Sequence, residues 1–214
     1  MSVEVWAIVV AGGEGRRFGQ HKQFADLGGR PVIEWSLEVS RSVARGVVAV
    51  VPESFVTSPG IGKGADRVIA GGSTRAASVR RGLAAVPDNA GVIVVHDAAR
   101  PLASAELFRG VVAAVLGGAD GAIPCLPVAD TVKRVRNDRV LETIDRSELV
   151  AVQTPQAFRA AALRRAHEGE PEATDDAALL EALGLSVVVV PGEYHNLKLT
   201  SPDDLATAER WSTR

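Results

Sequence analysis

At 214 residues and 46% hydrophobic content, the chain is long enough to bury one substantial core, which favours a single domain over residues 1–214. Its formal net charge of -2 provides no overall field that would draw it to nucleic acid or to a membrane. The single cysteine, Cys125, excludes an internal disulfide and a cysteine-based zinc site, so we expect a reducing, cytoplasmic location. The apolar run at residues 5–11 is too short to span a bilayer.

Apolar, β-branched runs alternate with helix-like segments along the chain. The runs predict strands at residues 5–10, 47–51, 67–70, 92–95, 121–124 and 187–190. The segments between them predict helices at residues 31–43, 74–86, 104–116, 155–167 and 175–183, and a last helix that begins at Ser201. This alternation predicts an α/β fold, a single Rossmann-like layered domain with a mainly parallel central sheet.

A glycine loop with two cations follows the first predicted strand. Gly12, Gly13 and Gly15 lack a Cβ, so their backbone amides can converge on an anion. Arg17 adds a planar fork of donors and Lys22 a compact positive charge. The loop matches neither the P-loop nor the dinucleotide-binding fingerprint. It is either a phosphate-binding loop or a surface loop with solvated cations, and the loop alone does not decide between them.

An acid and an arginine follow the predicted strand at residues 92–95. We expect Asp97 and Arg100 just beyond the carboxyl end of that strand and near solvent, where open α/β sheets usually bind ligands. Pro101 prevents a helix from absorbing this loop. The alternative is a tight turn in which the two side chains merely pair with each other. The glycine loop, as a second phosphate-binding element, favours the ligand site.

Residues 131–136 and 139–144 predict two strands around a turn at Asn137 and Asp138, within a projecting β-arm at about residues 128–148. An isolated hairpin is marginally stable in water, so the arm must pack against its own chain or a partner. The residues leave both possibilities open.

These segments together resemble the family of 2-C-methyl-D-erythritol 4-phosphate cytidylyltransferases of the non-mevalonate isoprenoid pathway. The resemblance spans nearly the whole chain and lies in the glycine loop with Arg17 and in blocks at residues 22–24, 71–79, 96–101, 130–133, 145–146, 153–156, 174–177 and 196–198. It implies a nucleotidyltransferase that joins CMP from CTP to a polyol phosphate and releases pyrophosphate. It also implies a homodimer embraced by the β-arm and a Mg²⁺ cofactor.

The resemblance further implies roles for individual residues. Arg17 and Lys22 would stabilise the transition state, and Asp97 would help to hold Mg²⁺. The phosphate of the acceptor would be held by Thr131, Arg146 and Lys198. The nucleotide would contact Ala11, Gly12, Gly13, Gly15, Gly72, Ser78 and Arg100.

Gly12-Gly13 stands where the family usually has alanine-glycine, and two further positions also depart from the family pattern. His21 stands where a proline usually precedes the lysine, and Ser73 replaces an acid often found after the double glycine. A related enzyme that cytidylylates ribitol 5-phosphate is the nearest alternative, since it differs mainly in the acceptor pocket. A nucleotide-binding module without turnover is a second alternative, but mere binding needs fewer cations than this chain carries.

Overall fold

The computed structural model describes residues 3–13 and 21–212. The strands of these residues, numbered in chain order, are β1 (Val5–Val10), β2 (Asp26–Leu27), β3 (Arg30–Pro31), β4 (Gly46–Val51), β5 (Arg67–Ala70), β6 (Val92–Asp97), β7 (Gly121–Pro127), β8 (Val132–Arg136), β9 (Arg139–Ile144), β10 (Val150–Val152), β11 (Gln156–Arg159) and β12 (Val187–Pro191). The helices are α1 (Val32–Val43), α2 (Arg75–Ala85), α3 (Ala105–Leu116), α4 (Ala160–Ala166), α5 (Asp176–Ala182) and α6 (Pro202–Ser212).

One eight-stranded sheet forms the centre of the fold. Strand β1 pairs in parallel with β4 and β6, β4 pairs in parallel with β5, and β7 pairs in parallel with β12. Strands β10 and β11 run antiparallel to their neighbours. Because β11 is antiparallel to both β6 and β7, the latter two strands point the same way. The carboxyl ends of β1, β4 and β6 therefore lie at one edge of the sheet, where ligands bind in open α/β folds.

Helices cover both faces of the sheet, as the alternating pattern predicts. One face carries a core that includes Ile33, Leu37 and Phe108, from α1 and α3. The other carries Leu83 and Leu163, among others, from α2 and α4. The predicted mainly parallel α/β architecture is confirmed. The strand that reaches the proposed site extends further than predicted, because β6 continues in register with β1 through Asp97.

The predicted helix at residues 155–167 is wrong in its first part. Residues Gln156–Arg159 form β11, and the helix begins only at Ala160. Ala157 and Phe158 pair with both β6 and β7, and both are completely buried. Tertiary pairing in the centre of the sheet therefore overrides the local helical pattern.

The predicted β-arm is present as the antiparallel pair β8 and β9. The turn is formed by Asn137 and Asp138 with φ values of 47° and 60°, which suit a two-residue hairpin turn. The arm strands form a sheet of their own, separate from the central sheet. In the described part of the chain, no helix is long and apolar enough to cross a membrane.

Candidate active site

A cavity of about 520 Å³ opens at the carboxyl ends of β1 and β6. It is lined by Val10, Ala11, Gly12, Gly13, Lys22, Gln23, Gly72, Ser73, Thr74, Arg75, Ser78, Asp97, Ala98, Ala99 and Lys198. Lys22, Arg75 and Lys198 are positive and Asp97 is negative, which leaves a formal excess of two positive charges. The cavity therefore suits an anion with several negative charges. Arg17 and Gly15 lie outside the described residues.

The start of the glycine loop is held by a buried glutamine that sequence reasoning did not single out. The Gln23 side-chain amide donates to the carbonyl of Ala11 at 2.7 Å and to that of Gly13 at 3.0 Å. The Ala11 amide in turn donates to the carbonyl of Val50 at the end of β4. These bonds fix residues 11–13 at the cavity wall.

The cavity wall beside the glycine loop is built from backbone and small side chains that approach one another closely. The Ser78 hydroxyl donates to the Thr74 carbonyl at 2.9 Å and accepts from the Gly72 amide at 3.1 Å. A Cβ added to Gly72 would lie 2.4 Å from the Cβ of Ala77, and one added to Gly12 would lie 3.1 Å from the Ser78 hydroxyl. Only glycine fits at residue 72 without a shift of α2. The wall at residues 12 and 72 therefore forms a narrow slot, which we call the glycine slot.

Asp97 lies between two cations at the end of β6. Its Oδ1 accepts from Arg75 Nε at 3.1 Å, and its Oδ2 accepts from Lys198 Nζ at 2.6 Å. Although burial opposes ionisation, Arg75 and Lys198 hold the pKa of Asp97 well below its ordinary value. The expected position near solvent is wrong, since Asp97 is only 8% exposed and is the last residue of the strand.

Lys22 and Lys198 reach the cavity from opposite ends of the chain. The ammonium group of Lys22 donates to the carbonyl of Leu199 at 2.6 Å. The amide of Leu199 donates to the carbonyl of Ala99, which follows β6. Leu199 therefore connects the Lys22 side chain to the loop after Asp97, and it holds the neighbouring Lys198 at the same place.

A second cavity, of about 210 Å³, adjoins the first and is lined by Arg75, Asp97, Arg100, Val152, Gln153, Thr154, Gln156, Thr174, Asp175 and Lys198. Arg75, Asp97 and Lys198 line both cavities. Arg100 lines only this smaller cavity, because its guanidinium donates to the carbonyl of Asn196 at 2.7 Å. The hydrogen-bonded cluster of Arg75, Asp97 and Lys198 thus lies where the two cavities meet.

His96 has a structural position beneath this cluster. Its Nδ1 lies 3.2 Å from the Thr154 hydroxyl, and its Nε2 lies 3.1 Å from the Arg100 carbonyl. Burial lowers the pKa of His96 to about 4, so the ring is neutral at neutral pH. A neutral ring with Nε2 protonated satisfies both neighbours, which favours a role in shaping the loop.

The structure does not bring every predicted site residue to these cavities. Thr131 and Arg146 are exposed on and next to the arm, and within the described residues they line neither cavity. Arg75, like Gln23, lines the larger cavity and was assigned no role from the sequence. The sequence feature that could have identified Arg75 is its position as the first residue of the helix that follows the double glycine at residues 71–72.

A protein-family model described as IspD, 2-C-methyl-D-erythritol 4-phosphate cytidylyltransferase, matches residues 5–214. The chain belongs to the IspD family. It is 46% identical over 214 residues to the 2-C-methyl-D-erythritol 4-phosphate cytidylyltransferase of Rubrobacter xylanophilus, covering 95% of this chain and 92% of that protein. It is 47% identical over 215 residues to the enzyme of the same name from Frankia casuarinae, covering 97% of this chain and 81% of that one.

The solved structures agree with the family assignment. The crystal structure of 2-C-methyl-D-erythritol 4-phosphate cytidylyltransferase from Thermus thermophilus superimposes with a TM-score of 0.84 at 36% identity, covering 100% of both chains. As a member of the IspD family, the chain is a nucleotidyltransferase of the non-mevalonate isoprenoid pathway. The resemblance inferred from the motifs is confirmed, and the reaction of the family is the cytidylylation of 2-C-methyl-D-erythritol 4-phosphate.

Proposed function

We propose that this IspD chain transfers CMP at the cluster of Arg75, Asp97 and Lys198, with CTP in the larger cavity and the polyol phosphate in the smaller one. The observation that carries the proposal is that these three residues line both cavities. A group that passes from one substrate to the other must cross the place where the two sites meet. The glycine slot and the excess positive charge favour the larger cavity for the triphosphate.

The reaction needs charge stabilisation more than it needs a strong base. The attacking oxygen belongs to a phosphate monoester. The second pKa of this group is about 6, so the phosphate is largely dianionic near neutral pH. One oxygen of this phosphate forms a bond to the α-phosphorus of CTP, while the bond from the α-phosphorus to the bridging oxygen breaks and pyrophosphate leaves. The barrier comes from bringing two anions together, which positioned cations lower. We assign this role to Lys22 and Lys198, and also to Arg17, which lies outside the described residues.

The donor set fits a magnesium ion held jointly with the substrate. Among the described residues that line the larger cavity, Asp97 is the one carboxylate. In the described part of the chain, no group of three or more His, Cys, Asp or Glu side chains is placed to hold a metal ion without the substrate. Mg²⁺ is usually bound through one or two carboxylates together with substrate phosphates. We therefore assign Asp97 as its protein ligand, and the bound ion would neutralise charge on the triphosphate.

We further propose that the chain is a homodimer with composite active sites. Val135, Val140 and Leu141 of the arm are 55%, 61% and 52% exposed. A hairpin with this apolar surface gains stability when it packs on a second copy. Thr131 and Arg146 lie at the base of the arm and, within the described residues, line neither cavity of their own chain, so we assign them to the acceptor phosphate in the partner's smaller cavity. The single free cysteine and the phosphorylated substrates fit a cytoplasmic location.

Pyrophosphate release tests the substrate assignment. The purified chain is incubated with CTP and Mg²⁺ and with 2-C-methyl-D-erythritol 4-phosphate, ribitol 5-phosphate or no acceptor. We expect release only with the first acceptor. Release that is equal without acceptor, or faster with ribitol 5-phosphate, would contradict the assignment.

A mixing experiment tests the composite site. Arg146→Ala and Lys198→Ala chains are each expected to be nearly inactive. If Arg146 acts across the interface, subunit exchange between the two variants makes heterodimers with one intact site each, so roughly one site in four regains activity. No recovery after exchange, or a monomer in sedimentation equilibrium at micromolar concentration, would overturn the proposal.

A further inference from the structure

Behind the cluster lies a second carboxylate that lines neither cavity. Asp176 is the first residue of α5 and is 1% exposed. Its Oδ2 accepts from Arg75 Nη1 at 2.7 Å, and its Oδ1 lies 3.0 Å from Nε2 of His167. A carboxylate is costly to bury unless it is paired, so its presence here calls for an explanation.

Arg75 is held between two carboxylates. Nε binds Asp97, Nη1 binds Asp176, and the third nitrogen, Nη2, is buried without a hydrogen-bond partner among the described residues. Burial opposes the charge on Arg75, but Asp97 and Asp176 raise its pKa above the ordinary value. Since a guanidinium is planar and rigid, two anchored nitrogens fix the orientation of the whole group.

The charges explain why two carboxylates are present. Without Asp176, the cluster would contain two cations and one carboxylate, and Arg75 would be drawn toward the triphosphate. Asp176 balances the charge of Arg75 from the side away from the cavities. It thereby keeps the Arg75 guanidinium hydrogen-bonded to Asp97. Replacing a buried ion pair by apolar groups is often neutral or stabilising, so stability alone does not account for this arrangement.

We propose that Asp176 is a positioning residue for CMP transfer: it holds Arg75 so that Arg75 and Lys198 fix the Asp97 carboxylate between the two substrates. His167 supports Asp176 from the other side through its ring nitrogen. The inference rests on the proposed location of transfer at this cluster. Asp176 itself touches no substrate and acts only through Arg75.

The Asp176→Asn variant tests the proposal, because asparagine keeps the size and one acceptor but removes the charge. We expect kcat to fall at least about tenfold, while KM for CTP stays within about threefold, since the glycine slot is intact. The control is Glu106→Gln, which removes one charge from an exposed ion pair between Glu106 and Arg109 on α3, away from both cavities. We expect this control to retain wild-type kcat.

A double-mutant cycle separates positioning from a merely structural role. If Asp176 acts through Arg75, the Asp176→Asn change adds no further loss of kcat to an Arg75→Gln chain. Wild-type kcat in Asp176→Asn, or losses that multiply in the double variant, would overturn the proposal.

A second variant keeps the test decisive if Asp176→Asn does not fold. Arg75→Lys retains the charge but cannot span both carboxylates, and we expect it to fold with a lower melting temperature than the wild type and with kcat at least about tenfold lower. Wild-type kcat in Arg75→Lys would overturn the proposal. An inactive wild-type chain would instead refute the proposed function itself.

Discussion

Removal of the Asp204 carboxylate should destabilise the protein at neutral pH. Asp204 lies in the first turn of α6, where its Oδ2 accepts from the Thr200 amide and hydroxyl at 2.7 Å each and from the Ser201 amide at 2.8 Å. The Ser201 hydroxyl accepts from the Asp204 amide in return, which completes a capping box. The cap fixes the chain just after Leu199, whose carbonyl binds Lys22.

The magnitude follows from the pKa of Asp204. Burial opposes ionisation, but the hydrogen bonds from Thr200 and Ser201 lower this pKa from 3.8 to about 2. The difference corresponds to about 2.5 kcal/mol of unfolding free energy, which we reduce to about 1 kcal/mol because water screens this partly exposed group. Since the pKa is lower in the folded state, the contribution is present above pH 3.8 and is lost as the pH falls through about 2.

Thermal unfolding of Asp204→Ala and Asp203→Ala provides the assay. Asp203 is an exposed neighbour in the same helical turn, so both variants lose the same favourable interaction with the helix dipole. We expect Asp204→Ala to melt about 2–4 °C below Asp203→Ala near pH 7, and the gap to close near pH 2. Equal melting temperatures near neutral pH would refute the capping argument.

Further predictions concern the site. Lys22→Ala should lower turnover by about a hundredfold, because it removes one of the positive charges that line the larger cavity. The loss of stability should be about 1 kcal/mol, since the hydrogen bond to the Leu199 carbonyl is also removed. Wild-type turnover would remove Lys22 from the mechanism. Gly72→Ala should weaken CTP binding about tenfold in calorimetry, because the added Cβ would collide with Ala77. The control Gly110→Ala, whose Cβ would have nothing within 4 Å, should bind CTP as the wild type does. Equal CTP affinities of the two variants would contradict the role of the glycine slot. Chelation of divalent cations should abolish turnover and added Mg²⁺ restore it, and Asp97→Asn should need more Mg²⁺ for half-maximal rate; turnover that survives chelation would contradict the metal assignment.

Much of the framework could be predicted from the sequence because local signals were strong. The apolar runs at β1 and β6, the turn at Asn137 and the capped start of α6 each carry their own pattern. Strand β11 was missed because its pairing with β6 and β7 outweighs its local preference.

The site was only partly predictable for a related reason. The glycine loop and Asp97 stand out in sequence, and the family resemblance named Lys198, but neither Arg75 nor Asp176 was assigned a role. Lys198 is 101 residues away from Asp97, and Asp176 is 101 residues away from Arg75. Without the fold, nothing in the sequence joins the two pairs into one cluster.

A crystal structure with a non-hydrolysable CTP analogue, Mg²⁺ and 2-C-methyl-D-erythritol 4-phosphate would test the central claim most directly. We predict that the α-phosphorus lies beside Asp97 and Lys198, with the base against Gly72 and the acceptor in the smaller cavity. An α-phosphate whose oxygens lie beyond hydrogen-bonding reach of both Lys22 and Lys198, or an acceptor outside the smaller cavity, would contradict the account.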